Sequence, residues 1–345
     1  MSHEVYLGIG LTGSAHAPDL GSGAFAFDGL AAPKASLGLG REYLRDDDGL
    51  ISLAAGAHAA GNHVKSAAAS GVSSTPAPTV VGSSTGLQFD LIWDSSVASA
   101  PTGFTGAVIA AAQTLAADFT TREVVNIHVG YNEIAGSALG SGALGESESY
   151  GYLVSGATAM SALAAKGDSF PASNEPASAQ FFLTSAETKA LGFISATSTS
   201  LDGYVGFSGA YPMSYATSGS IASNQFSLYS IAEHEITEVM GRTGLENTYR
   251  YNGQTSYTPL DLFNYSKPGT LELSANGGYF SLDDGVTNLG TFNDAKVNGG
   301  DIADWSSIVT NDSFDAFTSP GTIDAMTHND LLTVAALGYK LSSLA

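Results

Sequence analysis

The chain has no cysteine, and its 345 residues include only 12 Lys and Arg against 33 Asp and Glu. The first absence excludes disulfides and thiolate zinc sites, so any zinc here is held by His, Asp, Glu or Tyr. The second leaves a formal charge of −21. Such a chain lacks the basic surface that tracks nucleic acid or anionic lipid, and neither is expected as a partner. No apolar run approaches the roughly 18 residues of a membrane span. The opening MSHEVYLGIGLTG lacks the basic segment and apolar core of a standard cleavable signal peptide. Acidity of this degree does suit solubility and the binding of hard cations such as calcium.

Hydrophobic residues make up 43% and aromatic residues 10%, enough to fold a large core. The 41 glycines and the missing cysteines resemble bacterial proteins exported unfolded through one-step secretion systems. A secreted or cell-surface location is therefore expected. The closing LLTVAALGYKLSSLA suits either a C-terminal export signal or a packed terminal helix.

Residues 1–86 read as an N-terminal extension: short Gly-rich apolar alternations, then an Ala/Ser/Pro linker through STPAPTVVGSSTG. It is a propeptide, an adapter or a small β region. The main domain is expected over 87–345. QFDLIWDSS predicts a strand with a buried Trp93. Val108, Ile109, Ala112, Leu115, Ala116 and Phe119 recur at helical spacing, and EVVNIHVGYNEI is a β-branched strand. Strand, long helix, strand predicts a right-handed crossover with two parallel strands. AGSALGSGALGESESYG reads as a loop. The fold class expected is α+β, with a mixed sheet, a long backing helix and an active-site helix.

The chemistry concentrates in AEHEITEVMGRTG, residues 232–244. A helix is predicted over 224–241, capped by Ser223 or Asn224 and ending near Gly241. Tyr229, Ala232, Ile236, Val239 and Met240 share its apolar face. His234 and Glu238 lie one turn apart on the other side, so imidazole and carboxylate can converge on one ion. Glu235 sits between the faces, where a general base belongs. The pattern is that of the zinc-protease helix H-E-x-x-H-x-x-G with the second His replaced by Glu. Carboxylate is an ordinary zinc ligand, but it lowers the Lewis acidity of the ion and brings manganese and calcium closer as competitors. The alternative for this stretch is a solvated acidic helix face.

A catalytic zinc takes three protein ligands. Asp261 in TPLDLFNYS is the leading third, or it is a turn or N-cap residue after Pro259. Tyr265 is placed as a ligand or an oxyanion donor. Glu246 and His328 are lesser candidates. His128 is expected to be packed within its strand.

EHEITEVMGR at 233–242, TPLDLFNYS at 258–266 and GYFSLDDGVTNLGTFN at 278–293 resemble the motifs of a group of bacterial, mostly proteobacterial, metalloproteases. VGYNEIAGSALGSGALGESES and LDGYVGFS are similar to that group as well, and the likeness spans roughly 87–345. The resemblance implies a zincin-like domain with His234 as ligand and Glu235 as base, and makes Glu238 the group's own choice. Asn264 departs from the Arg usual in that motif. The function expected is a secreted zinc-dependent endopeptidase acting on peptide or protein substrates, with His234, Glu238 and Asp261 on the metal, and Glu235 and Tyr265 catalytic. Extended peptide is expected along the edge of the 124–134 strand. The rival is a non-catalytic calcium-binding surface or matrix protein of the same fold. Its structural calcium would be held by ESES at 146–149, LDDG at 282–285 or the Asp301–Asp304 region.

Overall fold

The computed structural model describes residues 75–167, 176–246, 254–306 and 311–343, with short strands at 11–12, 34–35, 51–55, 58–59 and 250–251. Most of the expected N-terminal extension, including 60–74 of its linker, lies outside the described residues. In chain order the elements used below are β1 (Ile51–Ala55), β2 (Thr79–Gly82), β3 (Leu87–Trp93), α1 (Phe104–Asp118), β4 (Glu123–Tyr131), β5 (Gly145–Ser155) and α2 (Gly156–Ala164). There follow β6 (Gln180–Thr184), α3 (Ser185–Ala190), β7 (Gly203–Phe207), α4 (Leu228–Val239) and β8 (Gln254–Tyr257). The last are β9 (Asn264–Lys267), β10 (Thr270–Leu271), β11 (Gly278–Phe280), β12 (Gly290–Phe292) and α5 (His328–Ala336).

The main sheet runs β8-β6-β5-β7-β4-β3-β2 and is mixed, so the chain is α+β as expected. The crossover is present: β3 and β4 pair in parallel from Leu87↔Glu123 to Trp93↔Val129, joined by α1. The alternation in β3 buries Leu87, Phe89, Leu91 and Trp93. α1 packs on β2 and β3, α4 packs on β5 and β7, and the two helices pack on each other. They therefore lie side by side on one face of the sheet, and Thr114 Oγ1 and Tyr229 Oη hydrogen-bond between them at 2.8 Å. A second, four-stranded antiparallel sheet, β10-β9-β11-β12, follows α4 in the chain.

Three features of the topology differ from the sequence reading. Thr79–Gly82 pairs with β3 as a hairpin, so the main sheet begins inside the stretch read as linker. GESESYG is the first half of β5, not loop: Glu146 to Ser149 pair with β7. Its Gly and Ser density hid the strand, yet Gly145 and Gly203 are what permit the close approach of α4. A Cβ at Gly145 would stand 2.6 Å from Glu235 Oε1, and one at Gly203 3.0 Å from Val239 Cγ1. The third difference is that β4 has partners on both sides, β3 and β7, so the 124–134 strand offers no docking edge. At the C-terminus, α5 is a packed helix with Leu331, Val334 and Leu337 buried.

One buried ion pair fixes the sheet to α3. Lys189 Nζ donates to Asp202 Oδ2 at 2.5 Å and to the Val124 carbonyl at 2.8 Å, with both side chains fully buried. Asp202 also accepts from Ser185 Oγ and from the Asn126 amide. Removing one partner strands the other charge. Lys189→Ala is expected to cost about 3–5 kcal/mol in urea unfolding, and Lys189→Met combined with Asp202→Leu much less. Equal losses in the two variants would contradict this role.

Candidate metal centre

The helix that carries the motif starts later than the sequence implied. Phe226 and Ser227 pair with Met213 and Ser214, and Ser227 becomes the N-cap by accepting from the Ser230 amide at 3.2 Å. Ala232, Ile236, Val239 and Met240 are fully buried, as the periodicity required. The opposite face is no solvated acidic stripe, because Glu233, His234, Glu235 and Glu238 are each at most 1% exposed. Asp304, Ser313 and Phe314 lie against His234 on that side.

α4 ends in a Schellman turn. Gly241, at φ +119°, sends its amide to Glu238 O at 3.0 Å, and the Arg242 amide reaches Thr237 O at 3.0 Å. A Cβ at 241 would be strained by that φ and would meet Glu187 Cδ at 3.2 Å. The turn folds Arg242 back along the helix, where its guanidinium is wholly buried. Nε donates to Thr237 Oγ1 at 3.1 Å, Nη2 to His234 O and to Glu238 Oε1 at 3.3 Å, and Nη1 to Asp304 Oδ1 at 2.6 Å. Phe314 caps the group, its ring centre 4.2 Å from Cζ.

His234, Glu238 and Asp304 bring one potential ligand atom each within 4.8 Å of one another, and all three are buried. Among the described residues they are the one such His/Asp/Glu group. The His234 Nδ1 lies 2.7 Å from the Ser313 carbonyl, which can only accept, so Nδ1 carries the proton. In the neutral imidazole this leaves a lone pair on Nε2. It points between Glu238 Oε1 at 3.3 Å and Asp304 Oδ1 at 3.4 Å, yet makes no hydrogen bond. Asp304 Oδ2 is also buried without a partner. An imidazole oriented by a carbonyl on one nitrogen, with the other aimed at two carboxylates, is the donor arrangement of a divalent metal site. The Arg242 guanidinium, with Nη2 3.3 Å from Oε1, keeps the Glu238 carboxylate ionised despite its burial. Ser147 Oγ donates to Glu238 Oε2 at 2.8 Å, and Glu235 hydrogen-bonds Glu238 as well.

Asp304 takes the third place that the sequence reading gave to Asp261. Asp261 is absent from the group because its carboxylate is consumed locally. It accepts from the amides of Leu245, Glu246 and Thr258 at 2.8 to 3.3 Å and closes a capping box on Pro259–Phe263. The turn-and-cap alternative was the right one. Tyr265 is buried in β9, its ring beside Tyr279 at 6.4 Å and over the Gly285 turn. Burial and the charges of Asp284 and Asp283 push its phenol up to about 12. It faces that turn and is not brought to His234. Glu246 is held by Asn264 Nδ2, and burial beside Asp261 raises its carboxyl. A neutral Asn thus partners an acid that burial favours in its neutral form. His128, expected to be packed, is partly exposed and pairs through Nδ1 with Asp94 Oδ1 at 2.6 Å.

Neither Asp304 nor Arg242 was read as part of this centre from sequence. The signal for Arg242 was the Met-Gly-Arg that follows the helix, since glycine at that place marks a chain reversal. Asp304 had a weaker signal, the Trp that follows it. Trp305 is buried against Phe280 and Phe292, its amide bonds Phe314 O, and Asp304 O accepts from the Asn293 amide. Those anchors fix the backbone from which the Asp304 side chain enters.

Of the stretches expected to bind calcium in the rival reading, the Asp301–Asp304 region supplies Asp304 to the His234 group, while acids of the other two are engaged elsewhere. Glu146 accepts from the Gly140 amide, and Asp283 is satisfied by the Thr287 amide and hydroxyl. Comparison with protein families, with curated proteins and with solved structures yields no match.

Burial raises Glu233 from 4.5 to about 8 and Asp315 from 3.8 to about 8, the latter helped by the charges of Asp312 and Asp324. In both, the folded state holds a proton that the unfolded chain has lost. Their contribution is complete below pH 4 and disappears as the pH rises through 8. In chelator, the melting temperature should therefore fall between pH 5.5 and pH 8.5, and less steeply in Asp315→Asn. A melting temperature that climbs over that interval would contradict the assignment.

Proposed function

We propose that this chain is a metal-dependent hydrolase of peptide bonds, on a zincin-like α+β domain, acting outside the cell that makes it. His234, Glu238 and Asp304 would hold the ion. The observation that carries this reading is the buried, unpartnered Nε2 of His234, its tautomer set by Ser313 and its lone pair directed between two carboxylates. One imidazole and two carboxylates suit zinc, with manganese a close competitor. A divalent ion bound there supplies Lewis-acid activation of water and of the scissile carbonyl.

The chain's own groups supply the proton handling. Glu235 follows His234 on α4 and its protonated carboxyl donates to the Glu238 carboxylate, so it stands at the ligand group; an ion held by Glu238 would favour release of that proton and leave Glu235 free to act as base. It takes a proton from the attacking water and returns it to the leaving amine nitrogen. Gly145 leaves the space that Glu235 occupies. Arg242 offsets the charge of Glu238 and Asp304 and holds both in place. Extended peptide is accommodated by strand addition on β5. That edge already accepts one strand of this chain: β1 runs antiparallel to β5, with Leu53 opposite Ser149 and Ala55 opposite Ser147. Ser147 is the residue that bonds Glu238, so β1 lies where substrate would lie. The N-terminal segment therefore acts as an internal competitor.

One observation favours the non-catalytic reading. Arg242 spans Glu238 and Asp304 and supplies positive charge there without an ion. The two readings separate on a zinc titration followed by calorimetry, paired with a fluorogenic-peptide assay. The hydrolase predicts one zinc per chain, lost in His234→Ala. It also predicts that Glu235→Gln binds zinc normally but loses about 10²–10⁴-fold in kcat. No zinc uptake by the wild type would leave the Arg242-neutralised scaffold. Proteolytic nicking between residues 60 and 74 should raise turnover several-fold, followed by mass spectrometry and rate. Unchanged turnover after complete nicking would remove β1 as a competitor.

A further inference from the structure

A small cavity lies on the Ser313 side of His234. Ser230, Ser313, Asp315, Thr318 and Asp324 line it, together with Ile231 and His234. Glu238 and Asp304 do not. The free space is of the size of a single water or ion, too narrow for an organic side chain.

Two of its polar atoms are buried and unanswered. Asp315 is 7% exposed and Ser313 6%, and neither Asp315 Oδ1 nor Ser313 Oγ has a hydrogen-bond partner. An unpaired buried carboxylate oxygen is costly, and it lines a cavity that contains no Lys or Arg. Asp324 accepts from Thr318 and Thr322 but retains lone pairs on both oxygens. Asp312 lies behind, its amide 3.4 Å from Asp315 Oδ2. Arg242, the nearest guanidinium in this network, is committed to Asp304 and Glu238.

We infer that this cavity is a binding site for one hard divalent cation, calcium, held by Asp315 and Asp324 with the Ser313 hydroxyl. The donors facing the space are oxygens, because the Nδ1 of His234 is taken by the Ser313 carbonyl. All-oxygen donors on an irregular loop suit the flexible coordination of calcium better than the strict octahedron of magnesium. The ion ties the 311–324 loop to the first turn of α4. That loop presents the carbonyl that orients His234, so calcium occupancy stiffens the imidazole from behind. The inference stands independently of the hydrolase reading, because it shares no ligand with the His234–Glu238–Asp304 group.

The test is equilibrium dialysis of the full chain against calcium after chelation, with thermal melting in parallel. One calcium per chain is expected, with a dissociation constant of about 10⁻⁴–10⁻³ M, the range of extracellular modules. Asp315→Asn should weaken it at least tenfold, whereas the exposed-turn variant Asp283→Asn should leave it within twofold. Ser313→Ala, which keeps the charge, should weaken it several-fold and decides the matter if Asp315→Asn does not fold by circular dichroism. Binding that is absent, that survives Asp315→Asn and Ser313→Ala intact, or that falls equally in Asp283→Asn would overturn the site.

Discussion

Negative charge taken out of water has to be met by a cation or a proton, and this constraint organises the whole domain. Asp202 is met by Lys189 across α3 and the sheet. Glu123 and Glu187, buried near them, are pushed well above the ordinary carboxyl range by burial, toward the protonated form. Glu238 and Asp304 are met by Arg242 and face the unprotonated nitrogen of His234. Asp315, with no Lys or Arg in its cavity, is raised by burial to about 8 and so is met by a proton below that pH. In a chain with 33 acids and 12 Lys and Arg, protein cations cannot meet every buried acid, and protons or external cations have to meet the rest.

The link from sequence to chemistry is short at α4. One glycine ends the helix, and its left-handed backbone returns Arg242 to the carboxylates one turn earlier. The same helix face that carries His234, Glu235 and Glu238 packs on β5, where Gly145 and Ser147 admit and bond two of them. The helix, its reversal and the strand beneath it thus form one unit. Displacing any of them moves His234 and Glu238 together.

The parts legible in sequence were those governed by periodicity. The β3–α1–β4 crossover and the buried apolar stripe of α4 came from spacing alone, because those residues contact neighbours in the same local pattern. The β5 strand was hidden by its composition: Gly and Ser there serve helix approach, which a loop reading cannot anticipate. Spacing alone could not decide against the alternative of a solvated acidic face on α4, because Asp304, Ser313 and Phe314, which lie against His234, come from far along the chain. Asp261 and Asp304 show the same limit. Both are aspartates beside large apolar side chains, and only the tertiary path decides that one caps a turn and the other joins His234.

The central claim is that His234, Glu238 and Asp304 coordinate an ion and that Arg242 supports them without replacing it. Anomalous diffraction at the zinc edge, from crystals grown with zinc, tests this most directly. The account predicts one strong peak bonded to His234 Nε2 and to an oxygen of Glu238 and of Asp304, with the His234–Ser313 contact retained. Crystals with zinc in the medium, no peak at that position, and Arg242 still bridging the two carboxylates would contradict it.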